Sequence, residues 1–282
     1  MLGNNGPGHN PSDALTQPVT QTEQLLLLID IGNTNITVGV TDKGSLIEDW
    51  RISTRDTTTA DQLWLMLRML LDSSGIELTA IHGLALSSVV PALTSVVENL
   101  VRRRLPVPFV NVTCELDLGL EVLYENPRSV GADRLCNAVA GFHCYGGPLV
   151  VVDFGTATTF DVISHDGAYL GGIIAPGPET TIATLHAAAA ALPSVELTFP
   201  SSLIGKSTET SMQSGAMFGS VAMINGLTAG LRQELGEDTK TIVTGGLAGV
   251  FFSHLESIEA VEPTLTLDGL QLIFQRCRPT LQ

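Results

Sequence analysis

Positive charge is scarce in this 282-residue chain: 14 Lys and Arg stand against 29 Asp and Glu, for a formal net charge of −15. That balance excludes a nucleic-acid-binding face and an anionic-membrane surface, both of which need a basic patch. Cysteine is also sparse, and Cys114, Cys136, Cys144 and Cys277 show no Cys-x-x-Cys pairing or histidine company. They read as reduced thiols in a cytoplasmic protein and not as a zinc site. No apolar run reaches the ~18 residues of a membrane helix. The first 24 residues lack the basic start and apolar segment of a secretory signal. Their Gly, Asn, Pro, Gln and Thr content predicts a disordered extension. Also absent are a Gly-x-x-x-x-Gly-Lys-Ser/Thr loop and a Gly-x-Gly-x-x-Gly turn after a strand, which disfavours P-loop and Rossmann nucleotide sites.

What the chain does have is one pattern written twice. Leu25–Ile29 is an apolar run short enough for a buried strand, followed by Asp30-Ile31-Gly32-Asn33-Thr34-Asn35 and a second apolar stretch from Ile36 to Val40. Leu149–Val152 is followed by Asp153-Phe154-Gly155-Thr156-Ala157-Thr158-Thr159 and Phe160–Ile163. Each copy predicts a hairpin whose tip carries a carboxylate, a glycine and several hydroxyls. Glycine permits positive φ and close backbone approach, so amides and Thr hydroxyls can converge on phosphate oxygens. An Asp at the strand end can hold a cation beside them. An Asp-Gly turn needs no ligand when it occurs once. Two copies after equivalent strands predict two similar lobes facing each other across one nucleotide.

Between and after the hairpins, strand and helix patterns alternate, as in an α/β fold with mixed sheets. Thr58 and Asp61 resemble a capping box before a helix striped by Leu63, Leu67, Leu70 and Leu71. Gly83–Val90 predicts a strand, Pro91–Leu105 a helix and Pro108–Val112 another strand. Arg102, Arg103 and Arg104 read as a solvated helix end that complements the dipole. A helix opens at Gly131-Ala132-Asp133-Arg134. Gly171–Gly177 leads into an Ala-rich helix ending near Leu192, and a long small-residue helix runs to about Leu235. Thr241–Thr244 is a strand ending at Gly245-Gly246, a pair that would equally suit an adenine ring or a tight turn. The last helix spans about Leu267 to Arg276. The expected organisation is an extension over 1–24, a first lobe over 25–129 and a second over 130–282.

Six motifs occur in order: Asp30-x-Gly-Asn-Thr-Asn, Tyr124-x-Asn-Pro, Gly131-Ala-Asp-Arg, Asp153-x-Gly-Thr-Ala-Thr-Thr, Gly171-Gly-x-Ile-x-Pro-Gly and Ile204-Gly-Lys-Ser-Thr. As an ordered set they closely resemble the type III pantothenate kinases, from about Leu25 to Arg276. The resemblance implies the duplicated actin-like ATPase and sugar kinase-type fold, two α/β lobes around a nucleotide cleft, as a homodimer. It implies ATP-dependent phosphorylation of pantothenate at the start of coenzyme A synthesis, with Mg²⁺ and a monovalent cation, K⁺ or NH₄⁺. Carried over by residue, Asp30, Ile31, Gly32, Asn33, Thr34, Asn35, Ile36 and Thr37 would form the first phosphate loop and Thr156 would contact ATP. Asp153 would hold the monovalent cation. Tyr124, Gly131, Ala132, Asp133, Arg134 and Thr208 would line the pantothenate site, with Asp133 as proton acceptor. Arg134 would fork onto the substrate carboxylate, against a competing role as a helix-start ion pair. The small-residue helices after Gly131 and Met212 are the expected dimer contacts. A kinase for another small hydroxyl compound and an ATP-sensing regulatory protein are the alternatives.

Overall fold

The computed structural model describes residues 25–56, 59–189 and 191–277; the extension expected over Met1–Gln24 lies outside them. β1 (Leu25–Ile31) and β2 (Asn35–Asp42) form the first hairpin, with Asp30 opposite Thr37. β2 turns into β3 (Ser45–Ser53) through Lys43 and Gly44, both at positive φ, as a two-residue hairpin turn demands. Then come α1 (Ala60–Ser73), β4 (Ile81–Ser88), α2 (Pro91–Arg104) and β5 (Phe109–Asn111). The capping box on α1 is Thr59 with Gln62, one residue later than the expected pair; Thr58 lies outside the described residues. Arg102, Arg103 and Arg104 do occupy the exposed last turn of α2.

The second half runs α3 (Ala132–Tyr145), β6 (Leu149–Phe154), β7 (Ala157–Ile163), β8 (Tyr169–Pro176), α4 (Pro178–Ala188) and α5 (Thr208–Leu235). It closes with β9 (Lys240–Gly245), α6 (Ala248–Phe251), β10 (Ala260–Val261) and α7 (Leu265–Cys277). The sheet orders are β3-β2-β1-β4-β5 and β8-β7-β6-β9-β10, the same arrangement twice. In both, the central strand pairs antiparallel with the next strand and parallel with the third to follow. The stretch that the sequence reads only as leading into α4 is the strand β8. Gly172 is a pairing requirement, since any Cβ there would collide with the Phe160 carbonyl on β7.

Period-two alternation then sorts each central strand between two cores. Leu25, Leu27, Ile29 and Ile31 pack with Leu63, Leu67, Leu93 and Val97 of α1 and α2. Leu26 and Leu28 face the other way, onto Leu135 and Ala138 of α3 and Leu267 and Leu270 of α7. In the second sheet Val150, Val152 and Phe154 meet Met217, Ile224 and Phe251, while Leu149 and Val151 join the α3–α7 core. One continuous apolar core therefore lies between the sheets, with α3 and α7 as its filling. Each fully buried Leu or Val in it contributes about 1.5–3 kcal/mol. α7 follows the second sheet in sequence yet packs on β1 and β4 of the first. α3, expected to meet a second copy, is instead enclosed: every residue from Arg134 to Gly141 is buried by its own chain. No helix among the described residues is long and apolar enough to cross a membrane.

Candidate active site

Asp30 lies on the same face of β1 as Leu26 and Leu28, and Asp153 on the same face of β6 as Leu149 and Val151. The alternation that builds the shared core therefore ends, at both strand tips, in a carboxylate facing the other lobe. Between them opens a cleft of about 510 Å³ that both hairpin tips, Asp133, Gly245 and Gly246 help to line. The tips touch: Thr34 Oγ1 and Thr156 Oγ1 are 2.9 Å apart across the two lobes. Each tip is braced from behind. The Thr54 hydroxyl donates to the Gly32 carbonyl at 2.8 Å, and the Thr180 hydroxyl to the Thr156 carbonyl at 2.6 Å. Gly32 N–H donates to Asn35 O at 2.9 Å and Gly155 N–H to Ala157 O at 3.0 Å. Neither glycine takes positive φ, contrary to one expected reason for its presence. What glycine supplies here is close approach, since a Cβ would sit 3.2 Å and 3.3 Å from those same oxygens. Gly245 does take positive φ, at 92°, so the Gly245-Gly246 pair is a strand-to-helix turn as well as a cleft wall.

Asp133 approaches from the start of α3. The cap of that helix is Gly131 and not Asp133, which is the second helical residue and accepts the Arg134 N–H at 2.8 Å. The side chain folds back over Gly131 so closely that a Cβ there would collide with it. A helix N-terminus favours an ionised carboxylate, but burial outweighs it and raises Asp133 above the usual carboxylate range, against the Arg134 amide and charge. Burial, then Asp133 and Asp153, push Asp30 up to about 7, against the pull of Ser87 and Arg51. Burial and Asp133 push Asp153 up to about 6, opposed by Asn137 and Arg51. Three carboxylates thus crowd one cleft, and their titrations are coupled.

Asp153 Oδ2 accepts from Asn137 Nδ2 at 3.0 Å, and Asn137 Oδ1 accepts from Thr266 Oγ1 at 2.8 Å. This chain from α7 through α3 to β6 was missed in the sequence. Its one visible signal is Asn137, the single polar residue in the stretch from Leu135 to Phe142. Asp30 Oδ1 is buried and has no hydrogen-bond partner. Among the described residues no three His, Cys, Asp or Glu side chains could hold a metal ion by themselves.

The remaining expected residues divide. Tyr124 stands beside Tyr169, ring centroids 6.4 Å apart, and Arg134 lies over the Tyr169 ring at 5.9 Å, so Tyr124 and the start of α3 do come together. Arg134 is already engaged, however: its Nε donates to Asp161 Oδ1 at 2.6 Å, where the Tyr169 hydroxyl also donates at 2.9 Å. Burial works against the Arg134 charge, but the facing Asp161 carboxylate outweighs it and holds the guanidinium above its ordinary value. The ion-pair role thus occupies the guanidinium edge expected for substrate. Ile31 and Ile36 send their side chains into the α1–α2 core, and Ala132 packs in the shared core. Thr208 is farther off, at the start of α5 in an open surface hollow with Lys206, Ser207 and Met212.

Two lobes of one strand order, each presenting an aspartate-bearing hairpin to a common cleft, define the actin-like ATPase and sugar kinase class of fold. A protein assigned to the Baf family of transcriptional activators, from Campylobacter jejuni, shares the fold at a TM-score of 0.56 and 20% identity, over 89% of this chain and 98% of its own. A candidate N-acetylmannosamine kinase from Listeria monocytogenes shares it at a TM-score of 0.50 and 12% identity, over 90% and 99%. Within that class, residues 26–230 match the family model of type III pantothenate kinase. The type III pantothenate kinase of Moorella thermoacetica is 44% identical over 252 residues, 89% of this chain and 99% of its own. The chain belongs to the type III pantothenate kinase family.

Proposed function

We propose that the protein moves the γ-phosphoryl group of ATP onto the primary hydroxyl of pantothenate, yielding 4'-phosphopantothenate at the head of coenzyme A synthesis in the cytoplasm. The observation that carries this reading is the meeting of the two hairpin tips, Thr34 on Thr156, beside Asp133. Phosphoryl transfer asks a protein for alignment, charge neutralisation and a proton acceptor. Tip amides and the Thr34 and Thr156 hydroxyls align the triphosphate. The Asp133 carboxylate takes the hydroxyl proton as the substrate oxygen bonds to phosphorus and ADP departs. A carboxyl raised by burial is a stronger base toward the hydroxyl proton than an ordinary Asp.

Mg²⁺ would be held at the orphaned Asp30 Oδ1, with phosphate oxygens and water completing a shell that the protein alone does not supply. When bound it neutralises charge on the phosphate chain. A monovalent cation, K⁺ or NH₄⁺, fits Asp153, one of whose oxygens Asn137 leaves free. The protein acts as a homodimer in this reading. Within one chain, Thr208 lies at the start of α5, outside the residues that line the cleft.

One observation favours a second reading, a different small alcohol as acceptor: Asp161 neutralises the Arg134 expected to bind the pantothenate carboxylate. ATP consumption with pantothenate, measured beside a panel of sugars, separates the two. Turnover with a sugar and none with pantothenate would remove the first reading, and no turnover with any acceptor would leave a regulatory protein.

A further inference from the structure

Among the described residues, the cleft is lined by Asp30, Asp49, Asp133 and Asp153 and by a single Lys or Arg, Arg51. A triphosphate entering a cleft of four carboxylates meets repulsion that backbone amides alone offset poorly. Arg51 is placed by the ladder. Ser87, Asp30, Thr37 and Arg51 are consecutive cross-strand neighbours on β4, β1, β2 and β3, and so share one face. The second lobe repeats the row as Thr244, Asp153, Thr159 and Ile174. Three of the four places correspond in kind, and only the last differs. The fold therefore accepts an apolar residue there, and the cation belongs to one lobe alone.

Arg51 also crosses the cleft. Its Nη1 lies 2.8 Å from where a Cβ on Gly246 would stand, so the guanidinium reaches from β3 to the β9–α6 turn of the other lobe. Its charge is felt by Asp30 in the first lobe and Asp153 in the second. Among the described residues it forms no salt bridge, which leaves its fork of donors uncommitted. We propose that Arg51 is a catalytic residue that clamps the phosphate chain of the nucleotide, bridging the lobes when ATP is bound. The inference rests on the reading of the cleft as the ATP phosphate site. A guanidinium forks onto two phosphate oxygens at once, which an ammonium does not.

Calorimetric titration of the full chain with Mg²⁺-ATP and with adenosine tests this, using Arg51→Gln and Thr156→Val. Loss of a charge-assisted pair should weaken ATP about 10- to 100-fold in Arg51→Gln, with adenosine affinity unchanged. ATP affinity within twofold of wild type would overturn the proposal. Should Arg51→Gln fail to fold, Arg51→Lys decides, by weaker ATP binding in support or unchanged binding against. Thr156→Val keeps the two readings apart. If it weakens ATP while the Arg51 variants do not, only the clamp falls; if it has no effect either, the phosphate-cleft reading falls with it.

Discussion

Asp30 and Asp133 are both raised by burial, and the consequences run in different directions. Asp133→Asn keeps the size of the side chain and its acceptor for the Arg134 amide, so stability should change by less than about 1 kcal/mol. Asn takes no proton from the acceptor hydroxyl, so kcat should fall on the order of 10²-fold or more with ATP binding retained. Steady-state kinetics beside a thermal melt checks both halves, and near-normal turnover in a stable variant would remove Asp133 from the chemistry. Asp30 makes a prediction about stability. In the folded chain it holds its proton up to about pH 7, whereas an unfolded Asp ionises near ~3.9. Between those values the folded state binds more protons. The stabilisation is therefore fully present below about pH 4 and lost as pH rises through about 7. Asp30→Asn should stabilise the protein free of nucleotide and metal by up to about 4 kcal/mol at pH 8, and the difference should vanish at pH 4. A variant no more stable than wild type at pH 8 would show that Asp30 ionises there without cost.

The start of α3 is where an element sets the chemistry. Gly131 has φ −59° and ψ 143°, values open to any residue, so it is required by crowding and not by its own backbone. Gly131→Ala should swing the Asp133 carboxylate off line and lower kcat by about 10- to 100-fold. The melting transition should move by no more than about 1 kcal/mol, the scale of an altered cap. A kcat within twofold of wild type would mean that Asp133 finds its place without the space over Gly131. The same elements show what the sequence carries and what it hides. The hairpins were legible because a strand buried on both faces reads as an unbroken apolar run, and the Asp that ends it stands out. The Asn137–Asp153 contact and the row from Asp30 to Arg51 were not, because each joins residues through register or helix packing that no local pattern records. β8 was hidden by its own glycines. The placement of α7 on the first sheet was hidden too, since its apolar stripe says that it is buried but not against what.

At the scale of the whole molecule, α3 and α7 fill the space between the sheets, so the face left for a second copy must be found elsewhere. α5 offers one. Along its 28 residues, Ser211, Gly215, Gly219, Ala222, Gly226 and Ala229 are exposed at helical spacing, forming a smooth stripe. A Cβ at Gly215, Gly219 or Gly226 would meet nothing within 4 Å inside the chain, so no intramolecular contact requires glycine there. Each nevertheless costs about 1 kcal/mol relative to Ala in a helix interior. A partner helix in close approach accounts for what the single chain does not. Thr208 begins the same helix, so assembly on the stripe and the part expected of Thr208 in binding pantothenate are tested together. Gly219→Glu, near the middle of the stripe, places a long charged side chain where two backbones would meet. Light scattering at micromolar concentration should give the mass of two chains for wild type and one for the variant. Circular dichroism should be unchanged, because the site is open in the single chain. Turnover with pantothenate should fall at least about tenfold, a loss of one or two well-placed contacts, with the affinity for ATP preserved. A monomeric wild type, or a Gly219→Glu variant that is still dimeric and active, would leave the α5 glycines without a role in assembly and Thr208 outside the reaction.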